Sequence, residues 1–490
     1  MSEMKNATPG GGVFLNLGGP GRNRTTDTRI FNPLLYQLSY QAKRGMIIAT
    51  RSRLCKSRLQ LSSTAVRAPA EVRHRHAAIM PGMTTPNSST AHTTSDVCIV
   101  GNGAIAKTAA LGFAQAGHSV TLLVPAANPT ANEGAIGGGE RPWDVRVYAL
   151  NHTARDLLGS LKVWDALDAS RVAPVDAMAV NGDGKNGGSL GFDAFGAHTG
   201  ALAWIVEDSN LNGALDAALK FAHKVEIVKG CGARLRCGPQ GAQVLLEDGR
   251  RIDAGLVIGA DGRDSWVRGQ CDIGIDYRSY LQKAIVTNFS CEKPHHGVAH
   301  QWFTCSDGII ALLPLPGNRV SLVWSAPETL AATLLEESMG ELAVRLGEYA
   351  DEALGTLRPL QPELVKAVPL ALVRPHALTA PHVALIGDAA HAIHPLAGHG
   401  MNLGFGDIVD LLRVVAEREE HRAPGDERVL ARYARARKED VLLMQLATDG
   451  LERLFGANLE PLRIARNLGL NLLDKLPFIK RQLMAHALGQ

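Results

Sequence analysis

At 490 residues the chain is too long for a single hydrophobic core and calls for about two domains. With 46% hydrophobic and 20% charged residues its composition is that of a globular protein, and no apolar run is long enough to predict a membrane-spanning helix. The net charge of +3 hides an asymmetry: residues 1–95 hold 13 of the 51 Lys/Arg and 3 of the 48 Asp/Glu, so the body carries −7, which argues against a nucleic-acid partner.

Residues 1–95 are Ser/Thr/Arg-rich and broken by Gly10-Gly11-Gly12, Gly18-Gly19-Pro20 and Pro81-Gly82, so a disordered or spurious leader is expected. Two readings stay open: an organellar targeting segment, or a stretch upstream of a true start at Met80 or Met83. The seven cysteines form no Cys-x-x-Cys pair, which suits a reducing compartment and neither a zinc site nor a disulfide framework.

Ordered structure is expected to begin at residues 96–100, a short buried strand. The turn Gly101-Asn102-Gly103 follows, then a helix with Ala109, Leu111, Phe113 and Ala114 on its apolar face. Gly117 ends that helix and residues 119–124 read as a second strand. The strand–turn–helix context makes this a dinucleotide turn: Gly101 permits the bend, Gly103 lets a diphosphate reach the helix N-terminus, and Ala106 takes the place of a third glycine. A carboxylate for the adenosine ribose is expected where Leu122-Leu123-Val124-Pro125 ends the second strand, and none stands there.

Residues 144–150, DVRVYAL, precede a helix through Leu157, Leu158, Leu161 and Trp164. Residues 204–219 read as a strand and then a helix with Leu211, Leu215 and Leu219 on one face. A hairpin (244–247 and 251–254) leads to a buried strand, 256–259, and to Ala260-Asp261-Gly262-Arg263. From 270 to 375 the chain changes to short strands, 284–289, 299–304, 309–313 and 320–324, separated by Gly and Pro turns. Residues 383–386 form another buried strand that turns at Gly387-Asp388. Pro395 and Gly398 keep the next stretch from a long helix, Gly398, Gly400 and Gly404 bracket His399, Met401 and Asn402, and an amphipathic helix is expected from near Asp407, with Asp410 as a solvated carboxylate.

GDAAHAIHPLAGHGMNLG resembles the second flavin-contacting motif of the FAD-dependent aromatic hydroxylases, the single-component flavoprotein monooxygenases. GADGRDSWVR resembles that family's Asp-Gly motif, and IALLPLPGNRVSLVWSAP with the tail 446–490 resembles its ubiquinone-biosynthesis subgroup. The resemblance implies that Gly387 and Asp388 meet the ribityl chain. It places Pro395, Gly398, Gly400, Met401 and Asn402 beside the isoalloxazine ring. His399 stands where many relatives have Gln. Asp261 and Gly262 are implied to support the nucleotide, Arg146 to meet phosphate and Asn212 to lie near the flavin.

The fold expected is α/β, a Rossmann-like FAD-binding domain (96–170, 205–269 and 376–445) with an interleaved, mainly β-sheet substrate domain (171–204 and 270–375) and C-terminal helices (446–490). The resemblance implies a monooxygenase that hydroxylates the ring of a polyprenylated phenol through a flavin C4a-hydroperoxide. Its partners would be FAD, O2 and NAD(P)H or another electron donor. No catalytic side chain and no metal are expected, although His391, His394 and His399 stand close together. A cytoplasmic location is implied; the apolar-plus-basic tail leaves open peripheral contact with the inner membrane or a biosynthetic complex. Three alternatives share some features. A hydroxylase of a soluble aromatic acid would need a basic pocket, an NAD-dependent dehydrogenase leaves residues 387–402 unexplained, and a non-catalytic flavin scaffold would consume no reductant.

Overall fold

The computed structural model describes residues 92–125, 142–182, 187–392 and 399–456, with backbone only at 399, 440 and 443–456. The leader up to residue 91 and the tail from 457 lie outside the described residues. In chain order, β1 (His92–Val100), α1 (Ala104–Gln115) and β2 (Val120–Val124) make the first βαβ unit. Next come β3 (Val147–Leu150), α2 (His152–Ser160), β4 (Val172–Val175), β5 (Ala177–Asn181), β6 (Ser189–Asp193), β7 (Ala203–Glu207) and α3 (Asp208–Lys220). Then β8 (Val225–Lys229), β9 (Gly232–Gly238), β10 (Gly241–Leu246), β11 (Arg251–Gly259) and the short α4 (Trp266–Gln270) follow. Four strands, β12 (Ile275–Cys291), β13 (Val298–Phe303), β14 (Ile309–Leu315) and β15 (Arg319–Pro327), precede α5 (Glu328–Glu336) and α6 (Met339–Leu354). The last elements are β16 (Leu357–Pro359), β17 (Lys366–Pro375), β18 (Thr379–Ala380), β19 (Val383–Leu385), α7 (His399–Ala416) and α8 (Glu427–Gly456).

Five strands run parallel in the order β19-β11-β1-β2-β8; β18 pairs antiparallel with β19, and the β9–β10 hairpin joins through β11. Strands such as Leu256-Val257-Ile258, fully buried, read as continuous apolar runs because both faces of this sheet are covered. Phe113, Leu211, Phe405, Leu411 and Tyr433 from the helices cover one face, and Val244 and Val267 pack on the other. Each such side chain contributes about 1.5–3 kcal/mol on burial.

The second sheet is almost wholly antiparallel, in the order β16-β12-β15-β14-β13-β5-β6, with β17 also on β12. Its outer face packs Ile285, Ile310, Leu322 and Trp324 against α5 and α6. A small sheet, β3-β7-β4, lies between the two large ones: Trp143, Val147 and Ala149 pack with Ala173, Ile205, Leu313 and Leu315. The α/β architecture with a largely β second part is the one expected.

Three boundaries differ from expectation. Strand β1 starts at His92, four residues before Asp96, because His92 to Ser95 pair with Arg251 to Ala254. Helix α7 starts at His399 and not near Asp407, so Gly400, Met401, Asn402 and Gly404 are helical. Gly404 serves close packing there: a Cβ on it would come 2.8 Å from Ile105 Cδ1 and 3.3 Å from the Gly387 Cα. Helix α8 runs unbroken through residue 446, where the tail was expected to begin.

Candidate functional site

The three turns meet in space. Gly101, at φ +142°, lies so close to the third motif that a Cβ there would sit 2.3 Å from the Ala260 carbonyl oxygen. Ala106, fully buried, packs against the same turn, and its small side chain is what the approach allows. Ile105 packs on Gly387 and Gly404, joining the first motif to the second. Arg268, 6% exposed, donates Nη1 to the Ala389 carbonyl at 3.0 Å and Nη2 to the Arg263 carbonyl at 2.7 Å, joining the third motif to the second.

Helix α1 starts at Gly103 with no capping side chain and no acidic residue in its first turn, and a Cβ on Gly103 would meet nothing within 4 Å. The first N–H groups of α1 are therefore open to an anion. Around Arg146 the acids are spent on structure. Asp144 accepts from the Arg146 and Ser209 amides, and Glu207, fully buried, accepts from the Asp144 amide at 2.6 Å and from Arg171 at 2.5 Å. Arg146 itself stays exposed, stacked over Tyr148 at 5.5 Å.

Several residues nominated from the sequence also have protein partners. Asn402 donates to the Ala149 carbonyl at 2.8 Å and accepts from the Asn151 amide at 3.0 Å, tying α7 to the end of β3. Asn212 accepts from Lys107 Nζ at 3.1 Å and donates to Asp208. Asp261 accepts from Ser265 Oγ at 2.5 Å and from the Val267 amide at 3.0 Å, so it braces Ser265, the N-cap of α4, and the first turn of that helix. Met401 packs on the core beneath the parallel sheet, Gly262 turns at φ +85°, and a Cβ on Gly400 would meet nothing. Pro395 and Gly398 lie outside the described residues, as does the His399 side chain.

Asp388 is different. Its carboxylate reaches solvent yet sits deep among protein atoms, and the partial loss of water raises its pKa, against the lowering charges of His391, Arg146 and Arg263. Behind it lies a group that sequence reasoning missed. Asp407, fully buried, accepts from His391 Nε2 at 2.7 Å, the Gly387 amide at 2.8 Å and Arg437 Nε at 2.7 Å. Burial alone would push Asp407 up, but the His391 charge and hydrogen bond, Arg437 and the Gly387 amide hold it below its ordinary value. The signal was present: Asp407 falls on the apolar stripe with Ile408, Leu411 and Val415, where an acid needs a partner. Asp410, expected to be solvated, pairs with Arg413 at 2.8 Å and Arg437 at 3.2 Å. Among the described residues no His/Cys/Asp/Glu group has the arrangement of a metal site.

A family model described as an FAD binding domain matches residues 229–444. The ubiquinone hydroxylase UbiL of Rhodospirillum rubrum is 34% identical over 416 residues, covering 84% of this chain and 93% of that protein. The 3-demethoxyubiquinol 3-hydroxylase of Escherichia coli is 35% identical, covering 81% and 98%. The chain belongs to the FAD-dependent ubiquinone-biosynthesis hydroxylases. Like them, this hydroxylase is an FAD-dependent monooxygenase. Two solved structures share its fold: Pseudomonas aeruginosa PqsL in complex with 2-aminobenzoylacetate (TM-score 0.63, 22% identity, covering 77% of this chain and 99% of that one), and Klebsiella pneumoniae HpxO with FAD and uric acid (TM-score 0.61, 17% identity, 80% and 97%).

The residues present fit FAD: an uncapped α1 for the diphosphate, and a solvent-facing acceptor in Asp388 beside the cationic Arg146. The strand end Val124-Pro125 offers the adenosine ribose no carboxylate.

Proposed function

We propose that this hydroxylase places one oxygen atom of O2 on the aromatic ring of a polyprenylated phenol in ubiquinone biosynthesis, with NAD(P)H or another donor as reductant. The observation that carries this reading is the inner face of the antiparallel sheet. There Val286, Val323, Ala311 and Gln301 form one cross-strand row, and Asn288, Ser321, Leu313 and Ala299 lie beside positions in the next. Val286, Val323, Ala311 and Leu313 stand on inner strands yet are only half-buried; none of the eight carries a charge, and the nearest cation in the first row is Lys366, exposed on β17 beside Val286. A face that is uncharged over its centre and rich in Val, Ala and Leu suits a prenylated ring. Asn288 donates to the Asp144 carbonyl, which holds this face to the Arg146 turn.

Bound and reduced FAD supplies the activation of O2. The chain's own residues bind, orient and exclude water. The α1 amides after Gly101 and Gly103 hold the diphosphate, with Arg146 as a further cation for it. Asp388 accepts from the ribityl hydroxyls, and Asp261, Gly262 and Asn212 act behind the cofactor by shaping its bed. In this reading the segment from Pro395 to Gly400 runs beside the ring, Met401 and Asn402 hold it from behind through the core and the end of β3, and the half-buried Val and Ala side chains of the sheet keep water from the reacting centre.

No helix among the described residues is long and apolar enough to cross a membrane. The basic, apolar tail supports a cytoplasmic enzyme with peripheral contact at the inner membrane, where its substrate dissolves. The test is turnover under 18O2 with FAD, NAD(P)H and either a prenylated phenol or 4-hydroxybenzoate. Label in the prenylated product is expected. Turnover of the free acid alone would replace this reading with the soluble-acid one, and reductant consumption by neither would leave a scaffold.

A further inference from the structure

Asp388 stands on a turn that is closed from behind by helix α8, a distant element that supplies none of the flavin motifs. Arg437 and Tyr433, one helical turn apart on α8, both face β19 and its turn. Tyr433, fully buried, donates to the Leu385 carbonyl at 2.8 Å. Arg437 donates Nε to Asp407 at 2.7 Å, Nη1 to Asp410 at 3.2 Å and Nη2 to the Leu403 carbonyl at 3.2 Å. The approach requires Gly406, where a Cβ would lie 3.2 Å from both terminal guanidinium nitrogens.

Asp407 passes this anchorage on. Its Oδ2 accepts the Gly387 amide, one residue before Asp388, and the ring of His391, three residues after it. His391 is fully buried and its amide also donates to the Gly387 carbonyl at 2.9 Å. Its Nδ1 has no partner among the described residues, so Asp407 is what orients the ring. Gly387 sits at φ +60°, a conformation that side chains rarely adopt, so the turn depends on glycine and on its hydrogen bonds.

We propose that Arg437 and His391 are positioning residues for the flavin, acting through Asp407 to fix the Gly387-Asp388 turn, so that helix α8 sets the affinity for FAD. This rests on the flavin reading of Asp388. The chain of contacts is short: guanidinium to carboxylate, carboxylate to turn amide and imidazole, turn to the exposed Asp388. Without the Arg437 cation, Asp407 is a buried carboxylate short of a partner and cannot hold both donors in place.

The experiment titrates FAD into full-length apo-protein of the wild type, Arg437→Met, Arg437→Lys, His391→Gln and Arg432→Met. Arg432 lies on the same helix but pairs at the surface with Glu419. Circular dichroism and thermal melting report the fold separately from binding. Arg437→Met is expected to fold and bind FAD roughly tenfold more weakly, with a shifted flavin absorption band. Arg437→Lys should recover part of the loss, and Arg432→Met should match wild type. A folded Arg437→Met with wild-type affinity and spectrum would overturn the proposal. Should Arg437→Met not fold, His391→Gln decides, because Gln keeps a donor for Asp407 but lacks the ring: weaker FAD binding supports the proposal and unchanged affinity with an unchanged spectrum overturns it. Wild-type protein that takes up no FAD would instead remove the flavin reading itself.

Discussion

Arg268 donates its Nη1 to the carbonyl of Ala389, 121 residues further along the chain, and both groups are buried. This bond closes the third motif onto the second, and the same guanidinium holds the Arg263 carbonyl. Arg268→Met keeps the packing and leaves two carbonyls without a charged donor. At roughly 1.5–3 kcal/mol per bond to a charged group, the loss should be about 3 kcal/mol, read as a lower urea midpoint with an unchanged slope.

Two alanine substitutions two residues apart should fail in opposite ways. Gly101→Ala drives a Cβ to 2.3 Å from the Ala260 oxygen at a φ of +142°, so the apo-protein should lose on the order of 3 kcal/mol. Gly103→Ala meets nothing at φ −80° and should melt like wild type. Its methyl group instead occupies the approach of the diphosphate, so FAD should bind roughly tenfold more weakly. Melting curves and FAD titrations of both variants check the contrast.

Asp388→Ala removes the acceptor for the ribityl hydroxyls. One charge-assisted bond corresponds to roughly a ten- to hundredfold weaker FAD affinity. Asp410 cannot serve as the neutral comparison because it pairs with Arg413 and Arg437; the exposed Asp156 on α2 can. Equal FAD affinity for Asp388→Ala and Asp156→Ala would move the flavin away from this turn.

The two carboxyls also predict opposite pH behaviour. Asp388 has a raised pKa, so its protonated form is favoured in the fold and apo-protein stability is lost as pH rises through that value. Apo Asp388→Asn should therefore melt higher than wild type at pH 7, with the difference gone below the ordinary 3.8. Asp407 has a lowered pKa, so its contribution is full above 3.8 and disappears as pH falls through the lower value. Asp407→Asn should cost about 3 kcal/mol at neutral pH, because it leaves the buried Arg437 with the longer Asp410 contact as its ion pair, and less in acid. Denaturant melts across pH separate the two.

Much of the site is legible in the order of residues. Gly101, Gly103, Gly387 and Asp388 stand at sharp turns after apolar strands, and turn chemistry is local. The start of α7 was misplaced for a physical reason: Gly404 signals a loop by propensity, but its close contact with Ile105 and Gly387 outweighs that preference. Asp407 and Arg437 were missed because a charge on an apolar helix face has meaning only once its partner, 30 residues away, is known.

The amino-acid sequence by itself determined the βαβ unit, the order of the three flavin-type turns and the change to an antiparallel sheet, since hydrophobic period and glycine act over a few neighbours. Only the tertiary structure decided which polar side chains remain for a ligand. Asn402 and Asn212 meet partners 253 and 105 residues away, while Asp388 stays exposed. Hydrogen-bond partners are chosen in space, and buried polar groups must find them, so no local rule could say which of these residues would be left open.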